Sequence, residues 1–461
     1  MAIRKDRFMD KKLYTLAEKP VPLAVISLAV PTIISQMIVI IYNMADTFFV
    51  GQLNDPAIVA AVSISMPAYV VLMAISNLFG IGGASLISRK LGNGEHEDVK
   101  HVASFCILMS SAAALCYAIL IIFLRPYLLP VLGATEETYE YVYIYMFWTI
   151  VVGGIPTVLN PLLAHLCRGE GNSRIAGIGM SVGGIINMGL DPVFIFVFHL
   201  GIVGAAIATM LSNCIAVLFY VIYFLKNKKR SDISLKVSSA MFRNRIPRDV
   251  CTVGSTSAVM SLMSIASNTI MVRSMAAYST AAVAGLGIAK KIDMIAFAYA
   301  QGLSQGILPL IGYNKSAKNE TRMKKTIQFS LGLGVLSTCI ILLVLYFFAQ
   351  PITQLFIQDT QTVTYGSRIL RIICLICPST MIGMQTISVF QGMGERIRPL
   401  ILSLLRKGLL DIPLMLIFNS AFGIYGLIWA VPVADWCCSI ASLLMIIPFL
   451  LRLHHLRKES I

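Results

Sequence analysis

The chain has 461 residues, of which 57% are hydrophobic and 13% are charged, and its mean hydropathy is +0.80. Because a soluble protein of this size carries about 25% charged residues, this composition excludes a water-soluble globular protein and predicts a polytopic membrane protein. The formal net charge is +15. Most Lys and Arg residues lie in the tails and in short segments that alternate with loops almost free of them. This is the positive-inside pattern and not a nucleic-acid-binding face.

Twelve apolar segments are long enough to cross a bilayer, which takes about 20 residues. We predict an all-α fold of two lobes, each with six spans. The spans of the first lobe are 21–50, 58–86, 100–124, 140–164, 174–198 and 202–225. Those of the second lobe are 249–275, 281–309, 325–348, 364–390, 399–419 and 425–450.

The charge pattern also predicts the orientation of the chain. Basic segments fall on one side of the membrane and loops such as 125–139 and 349–362 fall on the other. We therefore expect five parts, which are a cytoplasmic N-terminal tail 1–20, a first lobe 21–225, a cytoplasmic linker 226–248, a second lobe 249–451 and a cytoplasmic C-terminal tail 452–461. The early basic tail argues against a cleavable signal peptide.

The two halves repeat in sequence. Four short motifs of the first half recur in the same order about 220 residues later, among them Leu190-Asp191-Pro192 as Leu410-Asp411-Ile412-Pro413, and Gly201-Ile202-Val203-Gly204 as Gly423-Ile424-Tyr425-Gly426. Because six spans is an even number, both halves enter the membrane in the same orientation. The pattern predicts a parallel pseudo-two-fold repeat, which is an arrangement typical of transporters.

Asp191 is the most informative single residue. It has no charged neighbour in the apolar run from Ile175 to Val197. Ionisable residues at membrane depth are costly and by default mark ion or substrate paths. The amide of Asn187 lies one turn earlier, on the same face of the helix.

Counting residues from the predicted helix ends places two more groups at the depth of Asp191. Asp191 and Thr209 are each nine residues from Leu200, and Asp46 is eight residues before Asn54, so all lie roughly 12–14 Å from the outer ends of their helices. We predict that Asp46, Asn187, Asp191 and Thr209 meet in one cavity of the first lobe. Their oxygens suit Na⁺ or a proton equally. The alternative is structural, with Asp191 capping a broken helix and Asn187 joining two helices.

The second half holds a further ionisable set, which is Lys290, Lys291, Asp293, Asp411 and Asp435. For this set the sequence favours structural pairing over ion coupling. Lys290 and Asp293 are three residues apart and are expected to neutralise each other. Arg406 and Lys407 are expected to snorkel toward the membrane surface, with Asp411 one turn after Lys407.

Two further features bear on mechanism. Pro31 lies inside the first predicted span, and a proline there removes a backbone hydrogen bond and permits a kink. This favours a hinge, with a static bend as the alternative. No enzyme is expected, because Gly80-Ile81-Gly82-Gly83 lacks the Lys of a phosphate loop and no catalytic triad is evident. We expect no cofactor other than a coupling ion.

Several motifs together point to a known family. They are Tyr42-Asn43-Met44-Ala45-Asp46-Thr47 in the first span, Arg168-Gly169-Glu170-Gly171 after the fourth, Asn187 with Asp191-Pro192, and Gly204-Ala205-Ala206-Ile207-Ala208-Thr209. Over essentially its whole length the chain resembles the multidrug and toxic compound extrusion (MATE) family, and especially its bacterial MepA-like branch.

The resemblance implies a V-shaped pair of six-helix lobes. We expect a monomer in a bacterial plasma membrane, with the lipid bilayer, small-molecule drugs and organic cations as its partners and no nucleic acid. The resemblance also implies export of bulky, often cationic drugs against an inward flow of H⁺ or Na⁺. It places the family's cation site on Asp46, Asn187, Asp191 and Thr209, and its hinge on Pro31. It also suggests that Tyr42 and Asn160 border the first-lobe substrate cavity.

Two alternatives remain. A flippase for lipid-linked sugars, built on a related scaffold, requires a cationic cavity for pyrophosphate. It would be favoured by a cavity lined with Arg273, Lys290, Lys291, Arg368 and Arg371. A receptor or assembly protein that does not transport anything would not require the polar cluster around Asp191.

Overall fold

The structure is a computed structural model that describes residues 10–53, 55–228, 231–236, 239–243, 245–357 and 359–459. Within these ranges the chain forms helices joined by turns and short loops, and no strand. An all-helical chain is what the composition requires, because a spanning segment must satisfy its own backbone hydrogen bonds in lipid.

The first lobe follows a short N-terminal helix, α1 (Asp10–Ala17). It consists of α2 (Val21–Gly51), α3 (Pro56–Gly92), α4 (His96–Leu132), α5 (Tyr139–Val152), α6 (Gly154–Gly169), α7 (Ser173–Val197) and α8 (Gly201–Lys226). The last turns of α5 and α7, Phe147–Val152 and Val193–Val197, widen into π-helix.

The second lobe follows a linker whose described residues include the 3₁₀ turn Ser239–Phe242. It consists of α9 (Ile246–Ala276), α10 (Thr280–Ser316), α11 (Glu320–Phe347), the short α12 (Ala349–Gln354), α13 (Thr360–Gly392), α14 (397–422) and α15 (424–459). A π-helical segment, Leu405–Leu410, interrupts α14 just before Asp411.

The described helices give twelve spans, as predicted. Ten helices are long and apolar enough to cross a membrane, and α5 with α6 forms one more span that is bent by 54°. One of the ten, Ile397–Arg452, has 56 residues, and a straight helix of that length would measure roughly 80 Å against a hydrocarbon core of about 30 Å. Gly423, with φ of 62° and ψ of −147°, divides it into two spans.

The helix boundaries differ from the predicted ones mainly where polar residues extend a helix beyond its apolar segment. The predicted loop 125–139 is wrong in its first half, because α4 continues through Pro126 and Pro130 to Leu132. Gly133 then ends α4 with φ of 104°, a conformation that glycine adopts without steric cost. The predicted loop 349–362 likewise includes α12.

The two lobes pack against each other along one half of their length. We call the end of the bundle with loops 93–95, 170–172, 317–319 and 393–396 the basic end. Near it, α3 and α9 approach so closely that a Cβ atom on Gly254 would collide with the carbonyl of Leu78. Between the lobes lies a cavity of about 970 Å³, the central cavity, which is lined mainly by residues of α3, α9, α10, α13 and α14 and extends from Leu132 and Arg273 at the opposite end to Arg168 near the basic end.

Candidate functional site

Asp191 is completely buried in α7, with 0% of its surface exposed. Its Oδ1 atom accepts a hydrogen bond of 3.2 Å from Nδ2 of Asn187, one turn earlier on the same helix. Its Oδ2 atom has no hydrogen-bond donor among the described residues. The helix does not break at Pro192, as the structural alternative expected, but continues into the π-helical turn Val193–Val197.

A chain of polar contacts leads from Asp191 across the first lobe. Asn187 Nδ2 also lies 3.5 Å from Oγ1 of Thr209 on α8. One turn further along α8, Asn213 donates to the Thr209 carbonyl at 2.8 Å and accepts from Asn160 of α6 at 2.9 Å. Three helices therefore share one buried polar network.

The helix α2 adds two residues to this region. Tyr42 packs on α7, where a Cβ atom on Gly184 would lie 2.8 Å from its ring. Glycine allows this approach, as small residues generally do between membrane helices. One turn after Tyr42, Asp46 is close enough to Asp191 for the two carboxyl groups to interact electrostatically. The structure thus brings Asp46, Asn187, Asp191 and Thr209 together, and we call these four residues the first-lobe cluster.

Oxygen atoms in and beside this cluster lack donors. Four side-chain oxygens are buried without a hydrogen-bond partner among the described residues, namely Asp46 Oδ1, Asn160 Oδ1, Asn187 Oδ1 and Asp191 Oδ2. Buried polar atoms in proteins are nearly always hydrogen-bonded. Acceptors without donors around two carboxyl groups are suited to bind a proton or a small hard cation such as Na⁺.

Tyr42 and Asn160, the residues proposed for substrate contact, lie beside this cluster and are not among the residues that line the central cavity.

Pro31 lies where α2 passes between the lobes. A Cβ atom on Gly177 of α7 would lie 2.7 Å from the Pro31 carbonyl oxygen. On the other side of α2, Gly302 and Gly306 of α10 pack against its backbone, and Gln36 Nε2 donates to Gln305 Oε1 at 3.2 Å. The helix that carries Asp46 therefore contacts both lobes.

The second-lobe acids have a different environment. Asp435 forms a buried ion pair with Arg406, with Nε–Oδ1 and Nη2–Oδ2 distances of 2.9 and 3.1 Å. Thr380 donates to the same carboxylate at 2.6 Å. Arg406 is only 3% exposed, so the prediction that it snorkels is wrong. Its charge is neutralised inside the lobe instead.

Asp411 also has a basic partner. Its Oδ2 atom accepts from Lys407 at 3.1 Å and from Ser267 of α9 at 2.6 Å. The expected Lys290–Asp293 ion pair is absent from the described residues, because the Lys290 ammonium group donates to Asn268 Oδ1 instead. Asp293, Lys290, Lys407 and Asp411 all line the central cavity.

Comparison with known proteins identifies the family. The MatE family model matches residues 31–193 and again 256–417. The chain belongs to the MatE family. The multidrug export protein MepA of Staphylococcus haemolyticus is 31% identical to it over 95% of this chain and 96% of its own length. MepA of Staphylococcus aureus strain MSSA476 is 29% identical over 96% and 97%.

Solved MATE structures share the fold. A MATE crystallised in complex with MaL6 is 25% identical, with a TM-score of 0.89 over 96% of this chain and 99% of its own. The two MatE matches confirm the internal repeat predicted from the short motifs. Since MatE proteins are transporters, the fold and family together make this chain a multi-pass membrane transporter.

Sequence reasoning missed several residues of these sites. Asn213 has a detectable signal, because it lies four residues after Thr209 on the same helix face. Ser267, Asn268 and Thr380 have none, because serine, threonine and asparagine are common in membrane helices and their partners are 22 to 144 residues away in sequence.

Proposed function

We propose that this MatE protein is a secondary active antiporter that exports structurally varied, lipophilic and often cationic drugs in exchange for H⁺ or Na⁺. The observation that carries the proposal is the first-lobe cluster, in which the carboxyl groups of Asp46 and Asp191 and the amide of Asn187 each have a buried oxygen without a donor among the described residues. The names of the MepA relatives, which are multidrug export proteins, support the drug-export part.

The cycle that we propose uses α2 as the connecting element. An ion can drive transport only if it binds one conformation better than the other. A cation held between Asp46 and Asp191 joins α2 to α7, and α2 in turn packs on α10 of the second lobe near Pro31. Binding and release of the cation therefore change the position of α2 relative to the two lobes.

We also propose that the basic end faces the cytoplasm, since Lys and Arg concentrate there. The central cavity then opens toward the outside. In this arrangement both termini are cytoplasmic. We further propose that the protein acts as a monomer in a bacterial plasma membrane and needs no cofactor.

The flippase alternative is less well supported by the cavity. Of the five basic residues that would favour it, only Arg273 and Lys290 line the central cavity. Lys291 is exposed, while Arg368 donates to the Tyr425 hydroxyl and Arg371 to the Tyr346 carbonyl. The other two basic residues of the lining are not free to bind pyrophosphate, since Lys407 is paired with Asp411 and Arg168 is buried.

The test is Asp191→Asn, assayed as dye export from cells and from proteoliposomes under an imposed pH or Na⁺ gradient. We expect export to fall to the level of membranes without the protein, because the amide cannot bind and release a proton and holds Na⁺ less well. Glu137→Gln, the same change of charge in an exposed loop, is the matched control. Gradient-driven export at the wild-type rate by Asp191→Asn protein would refute the assignment.

A further inference from the structure

The central cavity has an excess of basic groups. Its charged lining consists of four basic residues, Arg168, Arg273, Lys290 and Lys407, and two acidic residues, Asp293 and Asp411. With all six ionised the lining carries two positive charges, and protonation of either acid only increases this excess. A cavity built for simple organic cations alone would have the opposite balance.

Lys290 is a basic group of this lining that is available to a ligand. Its ammonium group is held by a neutral amide oxygen, that of Asn268, and no ion pair to a carboxylate is present among the described residues. Lys407, by contrast, is paired with Asp411 at 3.1 Å. An ammonium group whose only hydrogen-bond partner is neutral can gain a charge-assisted hydrogen bond from an incoming anion.

Arg168 adds a second unneutralised charge. It is 1% exposed and contacts His165 Nδ1 at 3.1 Å and Met180 Sδ at 3.6 Å, while its Nε atom has no acceptor among the described residues. Buried charges are normally paired. The first lobe therefore adds positive potential to its side of the central cavity.

The uncharged part of the lining mixes polar side chains, mostly serine and glutamine, with a larger number of apolar ones. It includes Met66, Met260, Met294, Phe297 and Met384. Unbranched methionine side chains adjust to ligands of different shape. The lining therefore combines a surface for the apolar part of a ligand with a localised site for its anionic group.

We infer that the central cavity binds amphipathic compounds that carry a carboxylate or similar compact anionic group, including zwitterions, and that Lys290 contacts this group. The inference rests on the proposed export function and names a substrate class for it. It adds a specificity-determining residue to a transporter otherwise expected to favour lipophilic cations.

The test compares two dyes that differ only at one group. Rhodamine 110 has a free carboxylate, and rhodamine 123 is its methyl ester. Fluorescence anisotropy of purified protein, without any gradient, measures their affinities for wild type, Lys290→Gln, Lys290→Arg and the control Lys291→Gln, whose side chain is exposed on the same helix.

We expect the wild type to bind rhodamine 110 more tightly than its ester. Lys290→Gln should weaken rhodamine 110 binding roughly tenfold, the usual effect of losing a hydrogen bond to a charged group, and leave the ester nearly unchanged. Lys290→Arg and Lys291→Gln should retain the preference. Tighter binding of the ester by wild type, or an equal loss for both dyes in Lys290→Gln, overturns the inference.

Ester binding also shows that the Lys290→Gln protein is folded. The two proposals fail separately, because binding is measured without a gradient. If Lys290 selects rhodamine 110 but neither dye is exported under a gradient, the function is wrong and the inference stands. If only the ester is exported under a gradient, the proposed function stands and the inference is wrong.

A second inference concerns α1, which contacts both lobes at the basic end. Toward the first lobe, Lys12 pairs at 2.7 Å with Glu170, a buried carboxylate that also accepts from Ser231 and from the Asp232 amide. Toward the second lobe, Asn314 and Arg322 each donate at 3.0 Å to the Leu16 carbonyl.

The contact is also apolar. Leu16 is 0% exposed and packs in a cluster with residues of α2, α10 and α11. Gly171 of the first lobe packs against the same side chain, since a Cβ atom there would lie 3.1 Å from it. One leucine thus bridges the loop after α6 and the second-lobe helices.

The geometry points to α1 as a clasp that stabilises the conformation closed at the basic end and must release when that end opens. We would measure distances between spin labels at Glu97 of the first lobe and Lys325 of the second, with exposed native cysteines replaced. Lys12→Gln and Arg322→Gln should each increase the open-to-closed ratio roughly tenfold.

Lys19→Gln, a nearby lysine outside this network, is the control. Distance distributions that match wild type in both clasp variants would rule out the clasp. Equal opening in the Lys19→Gln control would show a general charge effect instead and would also overturn it.

Discussion

The two lobes have an acid at equivalent positions, but the partner of that acid differs between them. Asn187 and Asp191 in the first lobe are four residues apart, as are Lys407 and Asp411, and each pair lies near the end of its MatE match. Each carboxylate keeps one oxygen without a donor among the described residues, Asp191 Oδ2 and Asp411 Oδ1, but the partner of Asp191 is a neutral amide. In the second lobe the partner is an ammonium group tethered to the chain.

Under the proposed function, this difference favours the first lobe as the place of cation exchange. The ammonium group of Lys407 neutralises Asp411 within the chain, whereas an ionised Asp191 would need a positive charge from outside the chain. Burial of an unpaired charge costs several kcal/mol, so the first lobe is the one in which cation binding changes the free energy most. Four variants test the comparison.

The largest effect is expected from Asn187→Lys, which copies the second-lobe arrangement into the first. The new ammonium group should occupy the cation position and reduce gradient-driven export by about tenfold or more, since a hydrogen bond between charged groups is worth ~1.5–3 kcal/mol. Dye export from proteoliposomes measures this, with thermal unfolding as the check on folding. Gradient-driven export at the wild-type rate by a folded Asn187→Lys protein would contradict this difference between the lobes.

Asp435→Asn should have the largest effect on stability. It leaves the Arg406 guanidinium buried without a counter-charge, which costs about 3–5 kcal/mol. Thermal unfolding in detergent should show a clearly lower Tm. Glu97→Gln, which breaks an exposed pair with Lys100, serves as the control and should leave Tm almost unchanged. An equal loss in both variants would contradict a buried ion pair.

Lys407→Asn should make the second lobe resemble the first. Asp411 then keeps Ser267 as a donor but loses its cation, at a cost of about 1–3 kcal/mol. We expect Tm to fall and to become more dependent on Na⁺ concentration or pH than in wild type. A fall that added Na⁺ and lower pH both leave unchanged would mean that the two sites are not comparable.

The smallest effect is expected from Asn213→Ala. It removes the link between Asn160 and the Thr209 carbonyl, and polar contacts between membrane helices are worth ~0.6 kcal/mol on average. The half-saturating cation concentration for dye export should rise only a few-fold. Asn227→Ala removes a bond within one helix and should leave it unaltered.

Much of the fold could be predicted from the sequence. The long apolar segments specify twelve spans because a bilayer accepts only helices of about that length. The repeat of Leu190-Asp191-Pro192 as Leu410-Asp411-Ile412-Pro413 indicated two lobes. Gly423 was the residue at which two spans join, and its place between two apolar runs already showed this.

Part of the candidate site could also be predicted from the sequence. Helix depth brought Asp46, Asn187, Asp191 and Thr209 to one level, because the rise per residue of a helix is constant. The second-lobe pairs were not accessible in the same way. Lys290 and Asp293 have ideal spacing for a pair, yet Lys290 bonds to Asn268 on another helix.

The sequence by itself determined that this chain spans a membrane twelve times, as a repeated six-helix unit with buried acids in both halves. Only the tertiary structure decided which acids are neutralised. Arg406 reaches Asp435 across 29 residues and Asp411 meets Ser267 across 144. The physical reason is that hydropathy is set by local composition, whereas the state of a buried charge depends on partners that other helices bring within about 3 Å.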